Sequence, residues 1–166
     1  MRRNLLLLVL TASLVGCAST PRSHFGPVAN LFPADALITQ RGVLTVLGRQ
    51  FTLNGYLARS ATQGQRLIVT ENFGNVLADV LIKPTGEAVV MRSSSAFKAK
   101  WIRDYVAADV RCVFGGGAET NCPGRQLSPT HFLIERRWYR LDLQIVEIKP
   151  GPQSAELFDV TRARKP

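Results

Sequence analysis

The sequence predicts a mainly β fold of the α+β class. About eight antiparallel strands are expected to form a curled sheet or an open β half-barrel, with one amphipathic helix covering the concave face. Three observations lead to this fold class. Short runs of alternating apolar residues recur along the chain, Gly and Pro turns separate them, and one segment changes to helical periodicity.

The first predicted strands follow one another through short turns. They cover residues 43–47, 51–57, 67–69, 76–82 and 88–91. Phe51, Leu53 and Leu57 alternate with polar or small residues, which is the pattern of a half-buried strand. Pro84 and Gly86 predict a hairpin turn, because Pro presets φ and Gly accepts a positive φ. Such short connections are typical of an antiparallel meander.

The predicted helix follows these strands. Apolar positions recur at spacings of three and four residues, at Phe97, Trp101, Tyr105, Ala108 and Cys112. Three serines at residues 93–95 are expected to cap the start of the helix. A glycine run at residues 115–117 ends it, and further strands are predicted at residues 132–134, 138–148 and 157–160.

The chain divides into three predicted parts. Residues 1–16 have the layout of a signal peptide: Arg2 and Arg3 precede an apolar run that is about half the roughly 20 residues needed to span a bilayer. Residues 17–36 carry several prolines and are expected to be an acylated N-terminus and linker, and residues 37–166 a single β-rich domain.

The boundary after the leader carries a specific motif. Leu14, Val15, Gly16 and Cys17 match the lipobox of bacterial lipoproteins. This resemblance implies cleavage before Cys17 and acylation of its thiol, so that the chain is tethered to a membrane through N-terminal acyl chains. Ala18 follows the cysteine, and by resemblance to enterobacterial lipoproteins this implies sorting to the outer membrane, facing the periplasm.

The formal charge of +9 suits either nucleic acid or an anionic membrane. The export signal favours the membrane and argues against a nucleic-acid partner. Cys112 and Cys122 are expected to form a disulfide in an oxidising compartment. Zinc is the rival interpretation, but only His131 lies near them in the sequence as a further ligand.

No residue set predicts catalysis, a metal site or a cofactor. His24 lies in the linker and His131 beside a turn, and neither accompanies a nucleophile motif. Asp104 and Asp109 are five residues apart on the helix and face one another poorly. An enzyme would require His131 and Asp109 to converge.

Apolar and aromatic side chains provide the candidate site. A hydrophobic cavity beneath the helix is predicted to be lined by Phe51, Leu53, Phe73, Trp101, Tyr139 and Leu143. The alternative is that these residues form an ordinary packed core. The two interpretations differ in whether the helix fills the concave face of the sheet.

Further motifs lie along residues 73–159, and they include the segment 75–80, the segment 89–94, the helix with Trp101, and Leu157 and Phe158. Together with the lipobox, these motifs resemble a family of predicted bacterial lipoproteins of unknown function that often occurs in aryl-polyene biosynthesis gene clusters. The layout is also distantly similar to the periplasmic lipoprotein carrier and its outer-membrane receptor, which are β half-barrels capped by helices. That receptor exposes a hydrophobic leucine-bearing loop, and no such loop is expected here.

These resemblances imply a non-enzymatic lipoprotein that binds or passes on a hydrophobic ligand. An acyl chain or an aryl-polyene lipid is the candidate ligand. The alternative is a structural or assembly partner of another envelope protein, bound through a sheet edge or the basic tail.

Overall fold

A computed structural model describes residues 24–25, 31–115 and 122–161. Nine antiparallel strands lie in the described part of the chain: β1 (His24–Phe25), β2 (Ala36–Val46), β3 (Arg49–Ser60), β4 (Gly64–Glu71), β5 (Val76–Ile82), β6 (Ala88–Ser93), β7 (Cys122–Ser128), β8 (His131–Glu135) and β9 (Tyr139–Pro150). Their order across the sheet is β1-β7-β8-β9-β2-β3-β4-β5-β6. The sheet is open, and the predicted mainly β fold with one helix is confirmed.

One helix, α1, connects β6 to β7. It consists of three continuous segments, which are α-helical at Ala99–Trp101, π-helical at Ile102–Val106 and α-helical again at Ala107–Phe114. Since β6 lies at one edge of the sheet and β7 near the other, the helix crosses the concave face. The predicted serine cap is wrong, because the helix begins after Lys98 and no side chain caps it.

The main core lies between α1 and the sheet. Ile102, Val110 and Val113 of the helix are buried against inward-facing residues of the central strands, such as Ile38 and Leu57. Strand residues alternate between the two faces, so strands such as β5 and β8 contribute every second side chain to this core. The alternation predicted for residues 51–57 is therefore the pattern that buries the concave face.

The segment predicted to be a linker carries folded structure. Strand β1 pairs with β7. Phe32 is buried, and its ring lies 5.1 Å from that of Phe114 and 6.3 Å from that of Phe132. Residues 1–23, with the predicted leader, Cys17 and Ala18, lie outside the described residues, and so does most of the glycine run.

The convex face has a smaller apolar cluster. The predicted last strand at residues 157–160 is wrong, because Ala155–Phe158 form a 3-10 turn. This turn buries Phe158 with Ala58 and Leu81. The backbone oxygen of Leu157 in this turn accepts a hydrogen bond from Arg66 at 2.7 Å.

Two further contacts fix the ends of these elements. The predicted disulfide between Cys112 and Cys122 is present and joins the end of α1 to β7. The predicted turn at Gly86 is also present, with a φ of 85° and a hydrogen bond from its amide to the oxygen of Lys83 at 2.8 Å. Within the described residues, no helix is both long and apolar enough to cross a membrane.

Candidate ligand-binding groove

A groove of about 740 Å³ opens at one end of the sheet. Its position follows from the strand register. Val46 at the end of β2 pairs with both Arg49 and Tyr139, so the β2–β3 hairpin and the start of β9 lie side by side. Leu53 pairs with Glu71, which brings the turn between β4 and β5 to the same end. The start of α1 closes the remaining side.

The structure brings five of the six predicted cavity residues to this groove, namely Phe51, Leu53, Phe73, Trp101 and Tyr139. Leu143 lies deeper and lines an inner cavity of about 70 Å³. Groove and inner cavity have several lining residues in common: Leu44, Leu53, Phe97, Trp101 and Tyr139. They are therefore adjacent compartments beneath α1, one open and wide, the other small and deep.

Four aromatic rings form a cluster at this place, and three of them, Phe97, Trp101 and Tyr139, line both compartments. The Trp101 ring lies 5.2 Å from that of Phe97, 6.0 Å from that of Tyr105 and 5.4 Å from that of Tyr139. These distances fall in the range of favourable tilted and edge-to-face contacts. Rings held by one another in this way form a defined apolar surface for a ligand to contact.

A buried polar cluster holds Tyr139 and α1 together. The Tyr139 hydroxyl donates to Asp109, and Nε of Arg136 donates to the same carboxylate at 2.8 Å. Burial, and then the Asp109 charge, raise the pKa of Tyr139 far above its ordinary value. Burial lowers the pKa of Arg136, but Asp109 outweighs this effect and the net direction is upward. The phenol is therefore neutral and the guanidinium charged, as a stable ion pair requires.

Exposed apolar side chains form a rim around the groove. We use the term rim for Leu47, Phe51, Phe73 and Trp138. Leu47 at the tip of the β2–β3 hairpin is 87% exposed and Phe73 is 93% exposed. This corrects the expectation that no leucine-bearing apolar loop is presented to solvent. Alternation could not reveal it, because a hairpin tip lies outside the periodic part of a strand.

Basic residues lie beside the rim. Arg49, Lys98 and Arg137 are exposed, and Lys98 also lines the groove. The guanidinium of Arg137 lies 4.6 Å from the centre of the Trp138 ring, a cation–π contact. Glu71 is the acidic residue of the groove lining. The groove mouth therefore combines apolar surface with net positive charge.

The structure does not bring together the two residues that an enzyme would need. His131 Nε2 lies 2.7 Å from Oδ1 of Asp142. Asp142 lies between Leu141 and Leu143 on β9, which point to the core, so its side chain is on the convex face. Asp109 lies on the helix that covers the concave face. Among the described residues, no group of three metal-ligating side chains is present.

Sequence reasoning missed Gln40, which is one of the polar residues that line the inner cavity. Its signal was available: Ile38, Gln40, Gly42 and Leu44 occupy alternate positions, so a carboxamide lies in line with buried apolar residues. The predicted first strand began at residue 43, whereas β2 begins at Ala36. Because the predicted strand was shorter than β2, it did not include Gln40.

Comparisons with known proteins add no relatives. No family model matches the chain, and no curated protein matches it either. The resemblance to bacterial lipoproteins therefore remains a prediction from the sequence motifs.

Proposed function

We propose that this chain is a non-enzymatic, lipid-anchored lipoprotein that binds a hydrophobic ligand and passes it on at the periplasmic face of the outer membrane. The ligand class is an acyl chain or a polyene lipid. The observation that carries the proposal is the groove of about 740 Å³, open at one end and lined largely by aromatic and aliphatic residues.

The groove supports this proposal through its size and lining. Ligand sites typically have volumes of about 300–1,000 Å³ and are mainly apolar, with a few polar groups that orient the ligand. Each methylene that leaves water contributes about 0.8 kcal/mol, so a chain of ten or more carbons gains enough to offset the cost of association. The aromatic side chains of Trp101 and Tyr139 supply rigid surface at low entropic cost.

The rim supports a position against a bilayer. Trp side chains favour the boundary between lipid and water, and Trp138 is exposed beside the groove mouth. Arg49, Lys98 and Arg137 lie beside it and suit an anionic headgroup layer. A ligand leaving the groove would then enter lipid without crossing water. Acylation of Cys17 would keep the domain close to that surface.

The test uses the chain from residue 18 onward. This chain keeps all described strands and the helix, which lie at or after His24. We expect native mass spectrometry to show one bound lipid per chain after purification without detergent. A fluorescent fatty acid should bind with a saturable signal. Ala96 is exposed and lines the groove. Ala96→Phe should therefore reduce fatty-acid affinity by about tenfold, because the new ring occupies ligand volume.

The matched control is Ser95→Phe, which places the same ring at an exposed neighbouring position outside the groove lining. It should leave affinity within a factor of two. Ligand-free protein together with no fatty-acid uptake would refute the proposed function. Equal effects of the two substitutions would show that lipid binds elsewhere.

A further inference from the structure

The inner cavity is lined mainly by apolar residues, and Gln40 is one of its few polar lining residues. Gln40 is 5% exposed, and its Oε1 atom is buried without a hydrogen-bond partner. Among the described residues that have a buried side-chain atom without a partner, Gln40 is the one that lines this cavity. Asp109 and Tyr139 also line the cavity, but they are hydrogen-bonded to one another.

The backbone around Gln40 is arranged to accommodate its side chain. Gly55 lies directly across from it on β3. A Cβ atom at Gly55 would lie 2.6 Å from both Cγ and Nε2 of Gln40, so any larger residue would displace the carboxamide. The register of β2 with β9 also shifts between Thr39 and Gln40, which is the mark of a β-bulge. Bulges commonly re-aim a side chain next to a functional site.

We propose that the inner cavity is a subsite for a hydrogen-bond donor at the leading end of the hydrophobic ligand, with Gln40 Oε1 as the acceptor. This inference rests on the proposed function, since it assumes that an apolar chain enters through the groove. The ligand class is a long apolar chain that carries a terminal hydroxyl group. A donor at this depth gains a hydrogen bond in an environment without competing solvent.

The geometry also sets the ligand's orientation. The groove and the inner cavity are adjacent and have Leu44, Leu53 and Trp101 among their common lining residues. Lys98 lies at the groove mouth and attracts a charged headgroup there. A chain with an anionic end and a hydroxyl end would therefore place the anion at the mouth and the hydroxyl at Gln40.

The test compares two probes that differ at one end, hexadecanoate and 16-hydroxyhexadecanoate. We expect Gln40 to raise the affinity of the wild-type chain from residue 18 for the hydroxylated probe. The relevant measure is the affinity for 16-hydroxyhexadecanoate divided by the affinity for hexadecanoate. In Gln40→Leu this ratio should fall by about three- to tenfold, which is the effect of one hydrogen bond. Leu fills a similar volume and leaves no buried polar atom.

The control is Gln144→Leu, which makes the same substitution at an exposed position of β9 that lines neither the groove nor the inner cavity. It should leave the ratio unchanged. If both probes bind but Gln40→Leu leaves their ratio unchanged, the subsite is refuted while the lipid-binding function stands. If neither probe binds, both proposals fail. Thermal melting of each variant verifies that the fold is retained.

Discussion

At the scale of single residues, the arrangement of Asp109, Arg136 and Tyr139 explains how a charged group is accommodated beside an apolar site. A buried carboxylate is costly unless it is paired and hydrogen-bonded. Here Arg136 supplies the charge and Tyr139 a second donor. Because Asp109 belongs to α1 and Tyr139 to β9, the cluster also fixes the helix over the sheet. The groove lining that Tyr139 provides therefore depends on Asp109.

Removing the Tyr139 hydroxyl should alter the pH dependence of stability. The folded-state pKa of Tyr139 is raised above the value of 10.0 that applies to a free phenol, first by burial. The folded state thus holds the proton more tightly, and its stabilising contribution is complete below about pH 10 and lost as the pH rises further. We expect Tyr139→Phe to lower stability by about 1–2 kcal/mol at pH 7. Between pH 9 and pH 11, wild type should lose about 1 kcal/mol more than the variant.

Urea denaturation at each pH measures both effects. The comparison with Tyr139→Phe removes the contributions of all other groups, because these are present in both proteins. Parallel stability curves for the two proteins from pH 9 to pH 11 would contradict this account of Tyr139.

At the scale of elements, the sequence predicted the strands and the helix that depend on local residue patterns. Alternation identified most of the strands, and spacing of three and four residues identified α1. The helix buries Ile102 and Val110, which were not in the predicted apolar stripe, because the π-helical segment Ile102–Val106 changes the residues per turn. Strand β7 was missed because its sequence has no alternating apolar residues. It is held instead by pairing with β8 and by the disulfide.

The candidate site was predicted only in part, because some of its features depend on local residue patterns and others on the long-range register of the strands. The aromatic lining follows from apolar positions on strands and helix, which the sequence displays directly. The rim depends on which turns meet at one end of the sheet, and that follows from long-range register. Gln40 depends on where β2 begins, and boundaries are the least certain part of a pattern.

The 3-10 turn Ala155–Phe158 yields a prediction at this scale. Its Phe158 covers a small convex cluster with Ala58 and Leu81, while Arg66 binds both Asp79 and the backbone of Leu157. We expect Phe158→Ala to lower the free energy of unfolding by about 3 kcal/mol, as for other buried aromatic truncations. Val160→Ala, at a more exposed position nearby, should change it by less than about 0.5 kcal/mol.

Chemical denaturation of both variants measures this difference. A loss below about 1 kcal/mol for Phe158→Ala would mean that packing of this turn on the convex face does not stabilise the fold.

At the scale of the whole molecule, the open end of the sheet gathers three properties. The groove opens there, the rim exposes apolar side chains there, and three basic residues lie beside it. A soluble protein seldom exposes several large apolar residues together unless they contact a partner. A bilayer would match each property, since its lipids are a source of ligand, its interior is apolar and its headgroup layer is anionic.

The rim should therefore govern transfer more than binding. We expect the double variant Leu47→Ser with Phe73→Ser to slow transfer of a fluorescent fatty acid from the protein to anionic vesicles by about tenfold. Its affinity for the same ligand should change by less than threefold, because Leu47 lies outside the groove lining and Phe73 is almost fully exposed. Two hydroxyls at the rim remove apolar area that would otherwise leave water at the vesicle surface.

The matched control is Leu127→Ser with Val146→Ser, which alters two exposed apolar residues that do not line the groove. This control should transfer at the wild-type rate. Raising the salt concentration should slow wild-type transfer as well, since screening weakens the attraction of Arg49, Lys98 and Arg137 to the vesicle. Rates that are independent of both the rim and the salt would mean that the ligand leaves through water, and the groove would then be a carrier site without a membrane-facing exit.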